Sequence, residues 1–224
     1  MMNFRRVSTL AALSCALLAP AAARADILSQ NATDLHVSSL GYGIALSHAI
    51  APRTDLRVST GTFGFERSGT SDNLNYTGSV RLRNVTALLD FRPTRSPFRL
   101  TTGLLFGNDH IDVVGTGSGN GTYTINGNTY TVSQVGTVTG TAKLGSSAPY
   151  IGFGIGAPRR RGTYLTADVG VVFRSVSTTL DASGPATQLP QFQADLAQAR
   201  NDFANSVSML KTYPVVSFGL ATRL

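Results

Sequence analysis

The sequence predicts an all-β fold: an eight-stranded antiparallel transmembrane β-barrel with an external β-hairpin and one amphipathic loop helix. Three observations predict it. Apolar residues recur at every second position, the spacing of half-buried strands. No run approaches the roughly 18 consecutive apolar residues of a membrane-spanning helix. Short turns rich in Pro and Arg alternate with longer polar stretches, as the two ends of such barrels require.

The first 25 residues read as a leader. Arg5 and Arg6 give a positive start, Val7 to Leu18 is mostly apolar, and Ala23-Arg24-Ala25 fits a small-residue cleavage site. A rival reading acylates Cys15, although Ala12-Leu13-Ser14 is a poor match before it. Cleavage after Ala25 leaves one domain, residues 26–224, with no cysteine and so no thiol chemistry. Three of the 19 basic residues (Arg5, Arg6, Arg24) belong to the leader, whereas the 12 acidic residues all follow it. The mature charge is then only mildly positive. Arg159-Arg160-Arg161 is the only basic cluster, and no basic run is interleaved with aromatics, which excludes a nucleic-acid partner.

The elements follow in order. Leu35 and Val37 alternate within residues 30–39, read as a short first strand before a tight turn near Leu40-Gly41. Without it the chain has seven spans, and single-chain barrels have an even number. Tyr42, Ile44, Leu46 and Ile50 form the next outer row, up to the turn Ala51-Pro52-Arg53. Leu56 and Val58 then face out and Arg57 and Ser59 in. The pattern changes phase so that Phe63 and Phe65 face out, which predicts a bulge near Gly61. After a loop at 66–75, Val80 and Leu82 share one parity and Val85, Ala87, Leu89 and Phe91 the other, predicting a second bulge near Arg83-Asn84. A turn at 92–97 leads to Phe98, Leu100, Thr102, Leu104 and Phe106.

A long loop at 114–137 contains Asn126-Gly127 between alternating residues, a strong hairpin signal. Ile151, Phe153 and Ile155 then alternate with Gly152, Gly154 and Gly156, a row that reads as packing space. The turn 157–161 precedes Leu165, Ala167, Val169, Val171 and Phe173. In the loop at 179–211, Pro190 starts a helix whose apolar face is Phe192, Leu196, Ala199, Phe203, Val207 and Leu210. That face must be buried over the barrel mouth or against the hairpin. The last strand, Tyr213 to Leu224, sets Val216, Phe218, Leu220 and Leu224 on one side and Val215, Ser217, Gly219, Ala221 and Arg223 on the other. The short turns belong with the C-terminus on the periplasmic side.

Parity directs Arg57, Arg81, Asp90, Arg99, Asp168, Arg174 and Arg223 into the lumen. Asp90 and Arg99 flank one turn at similar depth, with Arg57 one strand away. They form either a salt-bridged polar core or a constriction that admits small solutes when the pairs rearrange. The histidines carry little chemistry. His36 and His48 fall near strand ends, where a polar aromatic suits an interface. His110 and Asp112 share one side of a strand, but two ligands do not define a metal site. Ser47 and His48 are adjacent and point to opposite faces, unlike the lipid-facing His/Ser pair of barrel enzymes. No enzyme, cofactor or metal is expected.

Two resemblances add to this reading. Ser217, Gly219 and Leu224 match the C-terminal signal of bacterial outer-membrane proteins, although Thr222 departs from it and Leu224 replaces the usual aromatic. It implies the barrel-assembly machinery as a partner, with outer-membrane lipid and lipopolysaccharide around the finished barrel. Gly41-Tyr-Gly43, Thr124 to Tyr130, Ala148 to Pro158 and Tyr213 to Gly219 together resemble the carbapenem-associated outer-membrane protein (CarO) family of Acinetobacter and its proteobacterial relatives. This implies an eight-stranded monomeric barrel, proposed in some relatives to pass ornithine and other basic amino acids. Five inward arginines against two aspartates would repel such cations. Two functions stay open. One is a narrow porin-like channel for small polar solutes; the other is a non-conducting structural or surface-interaction barrel acting through its external loops.

Overall fold

The computed structural model describes residues 31–71, 74–94, 97–117, 121–156 and 161–223. The expected leader, Leu224 and most of the 157–161 turn lie outside the described residues. The strands are, in chain order, β1 (Asn31–Ser38), β2 (Gly41–Ala51), β3 (Thr54–Ser71), β4 (Leu74–Phe91), β5 (Arg99–Gly107), β6 (His110–Gly117), β7 (Thr122–Ile125), β8 (Asn128–Thr131), β9 (Thr137–Leu144), β10 (Ser147–Ile155), β11 (Gly162–Phe173), β12 (Val176–Ala182) and β13 (Thr212–Arg223). Two helices, α1 (Val132–Val135) and α2 (Pro190–Ser206), join them.

Antiparallel ladders connect β1–β2–β3–β4–β5–β10–β11–β13 and return to β1, a closed circuit of eight strands. Closure gives every wall strand two neighbours, so the wall has no open edge. The expected first strand exists, and its turn falls at Ser39-Leu40. The last strand closes the ring, pairing Leu220 with both Leu35 and Leu165.

Five wall strands continue past the ring. The upper half of β4 pairs with β6 rather than β5, in one unbroken register: Asn84 faces Gly107 and Arg81 faces His110. β6 thus extends β5, β9 extends β10 on the same terms, and β12 prolongs β11. The result is an overhanging sheet, β3-β4-β6-β9-β12, standing on one end of the ring. Much of what the sequence suggested as loops at 66–75 and 114–137 is therefore strand, as is the start of the loop at 179–211.

Neither expected bulge exists. β3 and β4 pair without interruption from Thr54↔Phe91 to Ser71↔Leu74. The irregularity lies between Ala49 and Ala51, beside the turn. Phe63 and Phe65 consequently share the face of Arg57, and Leu82 points inward with Asn84 and Thr86. The hydrophobic phase changes because the environment changes. In the ring the outer face is apolar: Leu46, Val58, Leu89, Leu104, Phe153, Val169 and Phe218 are all exposed. In the overhang the outer face carries Thr, Ser and charges, and the apolar residues turn to the inner face.

Part of that inner face, around Leu74 and Leu180, is covered by a cap, whereas Phe63 and Phe65 stay exposed. The hairpin β7–β8 turns at Asn126 (φ 49°) and Gly127 (φ 80°), the doubly positive geometry that Asn-Gly supplies. Phe192 and Leu196 of α2 bury themselves with Tyr123, Ile125, Val135 and Leu74, and the Tyr130 ring meets Phe192 edge-on at 4.9 Å. Of the two expected sites for the helix face, the hairpin is in use, and the overhanging sheet supplies the rest of the cover. The helix ends at Ser206, and Val207 and Leu210 lie half-buried in the turns that follow.

Asp195 of α2 ties the cap together. It is 1% exposed and accepts hydrogen bonds from Tyr130 Oη (2.5 Å), Asn126 Nδ2 (3.1 Å), Asn128 Nδ2 (2.8 Å) and Gln191 Nε2 (3.3 Å). Those donors, Tyr130 foremost, hold its carboxyl below the usual range. A depressed carboxylate pKa contributes stability that is complete above the ordinary value near ~3.9 and lost as pH falls through the folded value. The protection of the hairpin amides, after correction for the intrinsic pH dependence of hydrogen exchange, should therefore fall as the pH drops below the ordinary carboxylate value. In Asp195→Ala it should already be low at neutral pH and should lose that dependence.

Candidate functional site: the closed lumen

The ring is too narrow to hold more than side chains, and charges fill its lower half. Arg57 on β3, Asp90 on β4, Arg99 on β5 and Asp168 on β11 converge there. Arg99 Nη2 lies 2.7 and 2.8 Å from the two Asp168 oxygens, and its Nε is 3.8 Å from Asp90 Oδ1. Arg57 bridges both acids, with Nε 2.9 Å from Asp90 Oδ2 and Nη1 3.2 Å from Asp168 Oδ2. Thr101 donates to Asp90 Oδ1 at 2.6 Å. The four charges sum to zero, and each carboxylate has more than one donor, the condition for keeping ions away from water.

The glycine row on β10 makes the room. A Cβ at Gly154 would lie 2.2 Å from Asp168 Oδ1, and one at Gly152 would lie 2.5 Å from the Tyr150 hydroxyl. Each glycine is thus the space into which an inward group of its own or the adjoining strand fits.

Above the network the lumen has two unlike walls. Leu88, Leu105, Ala148, Tyr150, Val172 and Val215 pack as one apolar cluster, closed by Leu40 from the first turn. Opposite stand Asp34, His36, Ser38, Ser59 and Thr86, with a cavity of about 50 Å³ between the walls. That volume holds a few water molecules and no larger solute. His36 points into this cavity, 3.7 Å from Asp34 Oδ1, and not to an interface. His48 does face outward, bonded to Asn31.

Of the residues expected in the lumen, Arg57, Asp90, Arg99 and Asp168 come together. Arg223 is buried at the turn end and Arg174 at the rim. Arg174 pairs with Asp109 at 2.9 Å and lies 5.2 Å over the Tyr213 ring. Arg81 is a correction. With no bulge at Arg83-Asn84, it shares the outward face of Val85 and is exposed. The charge balance changes too. Asp34, Asp55, Asp109 and Arg92 are also buried, Arg92 pairing with Asp55 at 3.2 Å. Among the described residues of the ring and its rim, four buried arginines (Arg92, Arg99, Arg174, Arg223) and the half-buried Arg57 meet five aspartates (Asp34, Asp55, Asp90, Asp109, Asp168), so the expected excess of positive charge is absent. Parity pointed to Asp55, two residues from the inward Arg57, and to Asp34, which alternates with Leu35 and Val37. Arg92 and Asp109 lie just beyond strand ends, where parity gives no direction. Among the described residues no cluster of three metal-ligating side chains occurs.

Asp168 accepts hydrogen bonds from both arginines, whereas Asp90 accepts from Arg57 and Thr101 and lies 3.8 Å from Arg99. Asp168→Asn should thus cost about 3–5 kcal/mol, as breaking a buried pair does, and Asp90→Asn less. Urea midpoints of the refolded variants in detergent micelles check the order; equal midpoints would contradict it.

Neither a scan against protein-family models nor a search of curated proteins finds a match. Solved structures do. The fold is similar to the crystal structure of Acinetobacter baumannii CarO, with TM-score 0.51 and 17% identity, over 86% of this chain and 97% of that one. It is equally similar to Acinetobacter baumannii CarO2, with TM-score 0.52 and 18% identity, over 87% and 98% of the two chains. Two crystal structures, each matched over nearly its whole length, thus share this architecture, and the chain has a CarO-like β-barrel fold.

Proposed function

We propose that this protein resides in the bacterial outer membrane as a β-barrel whose lumen is sealed at rest, and that it works through its external cap and overhanging sheet. The seal is the observation that carries the reading. An ionic layer and an apolar cluster are stacked inside the ring, and the cavity beside them admits only water-sized molecules. The apolar outer band supports the location. On β11 it runs from Leu165 to Phe173, about 27 Å along the strand at ~3.3–3.4 Å per residue. Tilted by the ~40° of small barrels, it is roughly 20 Å tall, close to the band height of outer-membrane proteins. The expected leader supports export. The overhang and cap occupy the end of the ring opposite its short turns, the end that faces outward in such proteins. Ser217 and Gly219, on the strand that closes the ring, suit recognition by the barrel-assembly machinery.

A second reading keeps a channel. The cavity touches the ionic layer through Arg57 and Asp168, so a rearrangement of those pairs would join them. A neutral lumen also has no net charge to repel the basic amino acids that the family resemblance implies.

The protein should fractionate with outer membranes, and protease added to intact cells should reach the cap but not Arg53 or Arg161. Val169→Arg, in the apolar band, should cost roughly 2–4 kcal/mol in lipid vesicles. Planar-bilayer recording decides between the readings: the sealed barrel carries no current above the bare bilayer. If current flows, the channel reading replaces it, and Asp90→Asn should shift reversal potentials toward anion selectivity.

A further inference from the structure

The outward face carries a second feature at the upper edge of the apolar band, unconnected with the lumen. Arg81 on β4, His110 on β6 and Lys143 on β9 are nearest neighbours in register, Arg81 facing His110 and His110 facing Lys143. Neighbouring Cα atoms in such pairs are about 4.5–5.5 Å apart, so the row spans roughly 10 Å. Arg83 lies two residues below Arg81 on the same face, and Val85 and Phe106, exposed and paired, follow immediately beneath. Arg81, Arg83 and Lys143 are exposed, and among the described residues no side-chain hydrogen bond or ion pair engages their side chains. His110 meets Asp112 at 3.7 Å and the Asn108 carbonyl at 3.4 Å.

From this arrangement we infer that the ridge Arg81, Arg83, His110 and Lys143 binds the phosphate groups of a phosphorylated glycolipid of the outer leaflet. The inference rests on the outer-membrane reading above. Three observations select this ligand. The cations lie directly on top of the apolar band, where a lipid's phosphate meets its acyl chains, and guanidinium groups match phosphate oxygens in pairs. Asp112 and Glu66 lie on the same face one row higher. They repel an anion approaching from water and leave the lower row to one held by its hydrocarbon. The face above the ridge presents hydroxyls from Ser79 and Thr139, partners for sugars that a glycerophospholipid lacks, while the Thr141 hydroxyl donates to Asp112 at 2.7 Å.

Purified full-length protein in neutral detergent is titrated with bisphosphorylated lipid A and bound lipid counted by native mass spectrometry. The variant Arg81→Gln/Arg83→Gln/Lys143→Gln should bind roughly tenfold or more weakly, as the loss of charge-assisted phosphate contacts predicts. Arg200→Gln, in the exposed pair with Asp181 on the cap, should leave binding unchanged. Dephosphorylated lipid A should bind wild type as weakly as lipid A binds the triple variant. An unchanged triple variant overturns the proposal. So does phosphatidylglycerol binding as tightly as lipid A, which would mean a surface for any anionic lipid. Displacement by millimolar inorganic phosphate also overturns it, in favour of a free-anion site. Heat-modifiable migration shows that each variant is folded. Fractionation of wild type keeps the two failures apart. Recovery with outer membranes alongside an unchanged triple variant ends the ridge alone, whereas recovery elsewhere ends the location.

Discussion

The pairing of Arg57 and Arg99 with Asp90 and Asp168 is the interaction on which the interior depends. Four charges in a lumen this narrow lose most of their water, and only near-complete mutual pairing offsets that loss. Their side chains come from β3, β4, β5 and β11, so the network also holds distant parts of the wall to a fixed diameter. The sequence around it is constrained in turn. Gly154 is small because the Asp168 carboxylate fills the space its side chain would take, and Thr101 is present because Asp90 needs another donor. Backbone adds to the pairing: the Gly156 carbonyl accepts from Arg99 Nη1 at 3.1 Å.

The long strands set the second constraint. One strand such as β4 passes from the ring, where its outer face is apolar, into the overhang, where its outer face meets water. Its side-chain parity does not change along the way, so the chemistry of the two faces must exchange. The exchange occurs between Val85 and Arg81 on β4, and between Val58 and Phe63 on β3. It moves large apolar residues to the inner face of the overhang, which requires cover. The cap is the consequence: Leu74 and Leu180 are met by Tyr123, Phe192 and Leu196.

This exchange also explains what could and could not be read from the residues alone. The eight wall strands, the Asn126-Gly127 hairpin and the apolar face of α2 were legible, because each rests on a local period or a turn residue that tertiary structure did not override. Asp90 and Arg99 were legible as neighbours because a short turn joins their strands. The bulges were not. A phase change in hydrophobicity has two causes, an inserted residue or a change of surroundings, and only the pairing of β3 with β4 distinguishes them. Misreading that cause turned Arg81 inward. β6, β9 and β12 were hidden for a related reason: strands rich in Gly, Thr and Ser have no apolar outer row to reveal them. Arg92 and Asp109 lie past the strand ends, where neither period applies.

Neutrality then links the interior to the outer surface. With five arginines balanced by five aspartates inside, the lumen has no strong field with which to draw in ions of one sign. Its polar groups are committed to one another, and Leu40, Leu105 and Tyr150 close the space above them. On the outer wall, by contrast, Arg81, Arg83 and Lys143 are exposed, and no side-chain hydrogen bond or ion pair among the described residues engages them. Charge that holds the barrel together is paired inside it, whereas the row at Arg81, Arg83 and Lys143 is exposed at the edge of the apolar band. On the reading proposed above, recognition then falls to the outer wall and the cap.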